Sequence, residues 1–265
     1  MSRVHLQRGT HAATLVIDNP HRGNALTPAM MREASDLLSQ LAGELRATGG
    51  PFGGVVIRGA GDRAFCAGYD LATLEAETRT RPGLVIPELL DLVEVIQQFP
   101  VPTIAALHGH AIGGGALLAS LCDLRYARGG VRFRIPTTRI GIVYPLDGLR
   151  RLAALLGLGR ATEVLLLAED VSTENGLLWG LYQEVSVSPD ALSARIAEVT
   201  ASLAARAPLA VSGTLAVLRS LGRGVDESQV QAWHAEWLAR CVTSDDIVEG
   251  LQAARERRTP SFRGV

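Results

Sequence analysis

At 265 residues the chain is long enough for one large domain, or one domain with a small appendage. Apolar residues make up 47% of it and charged residues 20%, as in ordinary globular proteins, and a formal net charge of −1 gives no basis for a nucleic-acid or polyanion surface. There is no lysine, which excludes a Schiff-base lysine, a pyridoxal-phosphate anchor and the lysine of a Walker-type phosphate loop.

Residues 12–18 predict a strand, rich in β-branched side chains and ended by Asn19-Pro20. Thr27 is an N-cap with Pro28 at the first helical position, and Met31, Ala34, Leu37, Leu38 and Leu41 give the following helix an apolar face. Gly49-Gly50-Pro51 ends it, and residues 54–59 form a nearly all-apolar strand of the type covered on both faces. Residues 73–87 are the most polar stretch and predict a mobile loop. A helix from about 87 to 99 leads to a buried strand over 100–107, which opens into His108-Gly109-His110-Ala111-Ile112-Gly113-Gly114-Gly115 and a further helix. Short strands follow near 124–127 and 131–135, and beyond about residue 152 the chain predicts almost entirely helix, the last one capped by Ser244-Asp245-Asp246. Alternating strands and helices give an α/β class with parallel strands. The expected division is a core over 1–200 and a helical region over 201–265, continuous and without a linker.

Cys66, Cys122 and Cys241 are odd in number and form no CxxC pair, which fits a reducing cytosol better than a disulfide scaffold. The six histidines form no metal-binding pattern, residues 1–5 lack the apolar core of a signal peptide, and no apolar run reaches the roughly eighteen residues of a membrane span. The expectation is a cytoplasmic protein with no metal, no nucleic acid and no membrane partner.

Two segments carry chemistry. The triglycine 113–115 joins a strand to a helix start, where outward amides and the helix dipole favour an anion. It fits neither GxGxxG nor a Walker loop. Ala64-Phe65-Cys66-Ala67-Gly68-Tyr69-Asp70-Leu71 leaves the 54–59 strand and presents a second candidate amide. Together, and in this order, they resemble the crotonase family of enoyl-CoA hydratases and isomerases. Residues 18–26 (Asp-Asn-Pro-His-Arg-Gly-Asn-Ala-Leu) look like that family's N-R-P-x-x-x-N-A-L, 64–71 like A-F-[CA]-A-G-x-D-[LI], and 102–115 like its glycine loop; Cys122-Asp123-Leu124-Arg125-Tyr126-Ala127 looks like C-D-x-R-x-A.

The resemblance implies a spiral of ββα units, a helical C-terminal trimerisation region, and a homotrimer or hexamer (a dimer of trimers). It implies an acyl-CoA thioester as substrate and no cofactor beyond the coenzyme A of that substrate. Family members bind the thioester carbonyl with two backbone amides, which fall here on Ala67 and Gly114. By the same resemblance Arg22, Ala25, Cys66, Ala67, Gly68, Tyr69, Asp70, Leu71, Gly113 and Gly114 lie along the substrate, with Arg22 toward the nucleotide phosphates.

The chain departs from the pattern at both glutamates of the family's hydratases. Leu117 stands in place of the first and Thr137 in place of the second. With Ile142 they suggest a more apolar acyl pocket. The loop Gly141-Ile142-Val143-Tyr144-Pro145-Leu146-Asp147-Gly148 brings in Tyr144 and Asp147 as candidate acid–base groups, although the relatives' loop aspartate aligns with Pro145. Three outcomes follow: a lyase or isomerase whose proton-transfer groups have moved, a decarboxylase that makes the enolate without a base and pairs Arg139 with the substrate carboxylate, or a non-catalytic acyl-CoA-binding subunit.

Overall fold

The computed structural model describes residues 2–80 and 86–265. Strand β1 (Arg3–Arg8) forms an antiparallel hairpin with β2 (Ala12–Asp18), and β2 pairs in parallel with β3 (Gly54–Gly59). β1 has no counterpart in the sequence-based expectation. Arg3 and Arg8 at its two ends guard the sheet edge, and within it only Val4 is fully buried. Between β2 and β3 runs α1 (Pro28–Thr48), where the Thr27 hydroxyl accepts the Met30 amide and Gly49 closes the C-terminus at φ 63°. Its buried face carries Met30, Met31, Ala34, Leu38 and Leu41.

Three ββα turns then repeat. β3 and β4 (Ala64–Cys66) precede α2 (Leu71–Thr80) and α3 (Pro87–Gln97); β5 (Thr103–Leu107) and β6 (His110–Ile112) precede α4 (Gly114–Leu121); β7 (Leu124–Arg128) and β8 (Phe133–Arg134) precede α5 (Leu146–Leu167). The first strand of each turn joins a large sheet ordered β1-β2-β3-β5-β7-β9, and the second joins a small parallel sheet ordered β4-β6-β8. The chain therefore winds as the expected spiral. The main core lies between the large sheet and α1, α3 and α4. A smaller cluster on the rear face packs Val56, Ile104, Ala106 and Tyr126 against Leu192, Ile196 and Val199.

The predicted loop over 73–87 is corrected in its first half, because α2 runs to Thr80; residues 81–85 lie outside the described residues. Asp70 is the reason: its Oδ1 accepts the Thr73 amide and hydroxyl, both at 3.0 Å, which caps a run of leucine, alanine and glutamate without glycine or proline. Over 73–76 the polarity belongs to a helix, with Glu75 exposed.

After α5 come α6 (Thr173–Leu178), the unanticipated β9 (Glu184–Ser186), α7 (Pro189–Ala204), α8 (Pro208–Gly222), α9 (Glu227–Val242) and α10 (Asp245–Glu256). Ser244 stands at the start of α10, but its hydroxyl donates to the Cys241 carbonyl instead of capping the helix. A division at residue 200 falls inside α7, which covers the rear of the large sheet; the chain turns away from the core only after Ala204. Arg219 of α8 ties the two parts together. It donates to both oxygens of Asp123, at 2.8 and 2.6 Å, and to the carbonyls of Gln97, Phe99 and Val101. Among the described residues, no single helix is long and apolar enough to cross a membrane.

Candidate functional site

Because β4 and β6 are neighbours in the small sheet, pairing Ala64 with His110 and Cys66 with Ala111, their exits lie side by side. Residues 67–70 thus meet residues 113–115. The approach is closer than any side chain permits: a Cβ on Gly115 would sit 2.0 Å from the Cys66 carbonyl oxygen. Gly68 turns at φ +99°, where a Cβ would come within 2.8 Å of the Ile112 carbonyl and 3.0 Å of the Gly114 nitrogen.

Asn24 holds the strand that leads into the first loop. Its side-chain amide donates to the carbonyls of Ala60 and Ala64 at 2.9 and 2.7 Å, and its oxygen accepts the Asn19 amide at 3.0 Å. Asn24 is buried with a left-handed φ of 60°. Ala25, also buried, continues this turn.

Gly114 is the first residue of α4, so its amide has no intrahelical acceptor and points out of the helix N-terminus. The Ala67 amide is different. It donates to the Gly23 carbonyl at 2.9 Å, which commits the donor expected from the sequence to the fold itself. The donor must then be sought two residues on. Leu26 bridges to Tyr69 by accepting from Asp70 and donating to Gly68, and the alternation of an extended backbone turns the Tyr69 amide to the opposite side. Gly114 lies close by: a Cβ built there would be 3.3 Å from the Tyr69 nitrogen. Two amides converging at a helix N-terminus match what a developing oxyanion requires. The sequence held a usable signal, since Gly68 marks a left-handed turn directly before Tyr69.

Tyr144 is buried, and its hydroxyl donates to the Gly113 carbonyl at 3.2 Å. The Leu117 amide donates to the same oxygen at 3.0 Å. That carbonyl and the Gly114 N–H belong to one peptide unit, so both bonds fix the unit's rotation and polarise its donor. Burial pushes the Tyr144 phenol well above its ordinary range and keeps it protonated.

Leu117 is only 1% exposed. It packs with Tyr144 around Gly148, where a Cβ would meet Tyr144 Cε1 at 2.4 Å and Leu117 Cδ1 at 2.8 Å. The position of the first glutamate is therefore filled by an apolar plug. Thr137 opens a 3₁₀ turn and accepts the Ile142 amide at 3.0 Å; both residues are half-buried.

Arg22 and Asp70 form an ion pair at 2.5 Å, with the guanidinium exposed and the carboxylate buried. The Arg22 bond, aided by those from Thr73, outweighs burial and holds the Asp70 carboxyl below its ordinary range. Leu71, 69% exposed, projects from the start of α2. Cys66 is buried, which pushes its thiol up to about 12 despite the Gly68 amide it accepts, so it is not a nucleophile at neutral pH.

Asp147 does not join this constellation. It accepts from Gln97 at 3.2 Å and lines a cleft with Leu121, Arg151 and Arg219, at the far end of α4. Seven residues of helix separate Leu121 from Gly114, about 10 Å along the axis. Arg139 likewise donates to the Leu167 carbonyl.

Residues 8–265 match the family model described as enoyl-CoA hydratase/isomerase. Among curated proteins, a Mycobacterium bovis protein named "Probable enoyl-CoA hydratase echA6" is 33% identical over 255 residues, covering 95% of this chain and 96% of its own. The peroxisomal Delta(3,5)-Delta(2,4)-dienoyl-CoA isomerase of Arabidopsis thaliana is 31% identical, with 94% and 91% covered. The crystal structure of an enoyl-CoA hydratase from Bacillus anthracis superposes with a TM-score of 0.88 at 28% identity, covering 99% of each chain.

Proposed function

The chain belongs to the enoyl-CoA hydratase/isomerase family, and on that basis we propose that it binds an acyl-CoA thioester and stabilises its enolate with the amides of Tyr69 and Gly114. The observation that carries this is the convergence of those two amides, one exposed by a helix N-terminus and the other turned out by the Leu26 bridge. Fixed donors stabilise an oxyanion without reorganising, and loss of one costs about 3–4 kcal/mol of barrier. Arg22, tethered through Asp70 to the same loop and exposed at its tip, supplies the cation for the nucleotide phosphates.

The proton chemistry differs from two-carboxylate hydration. Leu117 is sealed against Tyr144, Asp70 is engaged by Arg22 and Thr73, and Asp147 lies at the opposite end of α4. This arrangement favours a second reading, an enolate-forming cleavage such as decarboxylation of a malonyl-type thioester. There the electron pair of the breaking C–C bond forms the enolate, CO2 departs, and no base is needed. Arg139, bonded to Leu167, gives that route no support as the carboxylate's partner. A binding-only role is the limiting case. The helical region is read as the contact between copies in a homotrimer or hexamer, supported by exposed Leu218, Leu221, Leu238, Val248 and Leu251 on α8, α9 and α10.

The test is direct. Purified protein is offered crotonyl-CoA and malonyl-CoA while enoyl absorbance and CO2 release are followed, and CoA-ester binding is measured by calorimetry. Loss of enoyl absorbance at a rate typical of hydratases would refute the altered proton chemistry. Failure to bind any CoA thioester would refute the whole reading.

A further inference from the structure

A cavity of about 410 Å³ opens on the rear face of the large sheet, away from the amide pair, between the β1–β2 hairpin and α7. Its floor is the side of the sheet that α7 leaves uncovered. Extending the registers of β3, β5 and β7 puts Arg58 level with Ala106, and His108 level with Arg128 on the next strand. All four lie on one face, with neighbouring strands about 4.8 Å apart. Two guanidiniums therefore flank one imidazole at the C-terminal ends of parallel strands, where ligands of open α/β sheets commonly bind.

Two features mark this row as more than a solvated basic patch. His108 is 6% exposed and its Nε2 has no hydrogen-bond partner among the described residues, while Nδ1 faces the Ala106 carbonyl at 3.3 Å. The Nε of Arg128 is also buried, again without a partner among the described residues. Buried donors and acceptors are normally satisfied, and an unsatisfied pair on one cavity wall calls for an explanation. Burial, together with the charges of Arg58 and Arg128, holds the His108 imidazole below its ordinary range, and Asp62 at the rim opposes this. His11 also borders the space.

We propose that this cavity is a binding site for a small organic carboxylate, held between Arg58 and Arg128 over His108. The charge balance selects the class: two guanidiniums less the carboxylate of Asp62 leave one net positive charge, matched by a monoanion. Ala12, Val56, Ala106, Leu192 and Ile196 give the lining an apolar share with room for a short hydrocarbon body, beside hydroxyls such as those of Thr14, Ser193 and Thr200. The volume lies at the small end of the range for small-molecule sites. Guanidiniums pair with a carboxylate through parallel N–H bonds, and the arriving charge lets His108 Nε2 take up a proton and donate in turn.

The site is tested on the full chain with sodium butyrate and with inorganic phosphate, by calorimetry and by following the imidazole resonances of His108. Butyrate is expected to bind saturably, one per chain, and to shift His108. Arg128→Gln is expected to weaken it at least tenfold. Ala197→Phe, placed on the exposed side of α7, is expected to block the cavity while leaving every charged group in place, and so serves if the arginine variant misfolds. Absence of saturable binding would overturn the proposal, as would binding untouched by both variants. Phosphate binding without butyrate binding would overturn the carboxylate assignment. Butyrate displaced by a CoA thioester, with His108 unmoved, would place the ligand at the amide pair and also overturn it.

Discussion

Tyr144→Phe isolates one atom of the proposed site. The ring stays, so its packing on Leu117 and Gly148 is kept, and only the hydroxyl that donates to Gly113 at 3.2 Å is lost. The Gly113 oxygen retains the Leu117 amide at 3.0 Å, so it is weakened as an acceptor and not orphaned. The stability loss is then that of one ordinary hydrogen bond, about 1 kcal/mol. The effect on the site comes through the peptide unit shared with Gly114. If one bond polarises its neighbour by roughly 10–30%, and an oxyanion donor is worth about 3–4 kcal/mol, the loss is roughly 0.3–1.2 kcal/mol, about two- to eightfold in enolate stabilisation. The assay needs no turnover. Infrared difference spectra of a bound, ¹³C-labelled thioester report how strongly its carbonyl is polarised. The red shift seen with the wild-type protein is expected to shrink in Tyr144→Phe while the affinity for the CoA portion is retained. An unchanged carbonyl band alongside the lower stability would show that Tyr144 only packs, and the polarisation argument would fail.

Gly114→Pro removes the donor outright at a helix position that tolerates proline; the carbonyl shift should collapse and any turnover fall by roughly two to three orders of magnitude. Gly148→Ala forces a methyl against Tyr144 and Leu117 and should cost about 1–3 kcal/mol in urea unfolding; a neutral result would contradict the plug. Asp123→Ala leaves Arg219 buried without its carboxylate and should cost about 3–5 kcal/mol. The pH dependence of that pair has a definite sign. Burial raises the Asp123 carboxyl, but the bonds and charge of Arg219, with those of Thr103, overcome it and hold it below the ordinary value. Its contribution is therefore complete above about pH 3.9 and lost as pH falls through the lower folded value, so the wild-type advantage over Asp123→Ala should narrow below about pH 4.

Much of the fold is legible in the sequence because local rules agree with the tertiary outcome. Thr27-Pro28 and Gly49 bracket α1 as capping chemistry requires, and the apolar strands β3 and β5 read as doubly covered. What escapes notice are elements defined by partners. β1 and β9 are short edge strands whose charged residues carry no periodic signal, and they exist because β2 and β7 offer open edges. α2 escapes because its cap, Asp70, is also part of the substrate-loop motif. In the site, glycine spacing locates both loops, yet which amide faces outward depends on hydrogen bonds from Gly23 and Leu26, more than forty residues away in sequence. That is why Ala67 is a natural expectation and Tyr69 the donor proposed in its place.

Both proposed donors belong to the main chain, and this sets what point mutation can reach. Any codon change at 69 or 114 other than one to proline leaves an N–H in place, provided the turn survives. The groups at 117 and 137, by contrast, are side chains that a single nucleotide change can convert or delete. A lineage can therefore lose its acid and base in small steps while the grip on the thioester oxygen persists. Within such a scaffold, the intermediate is inherited and the reaction is the variable part.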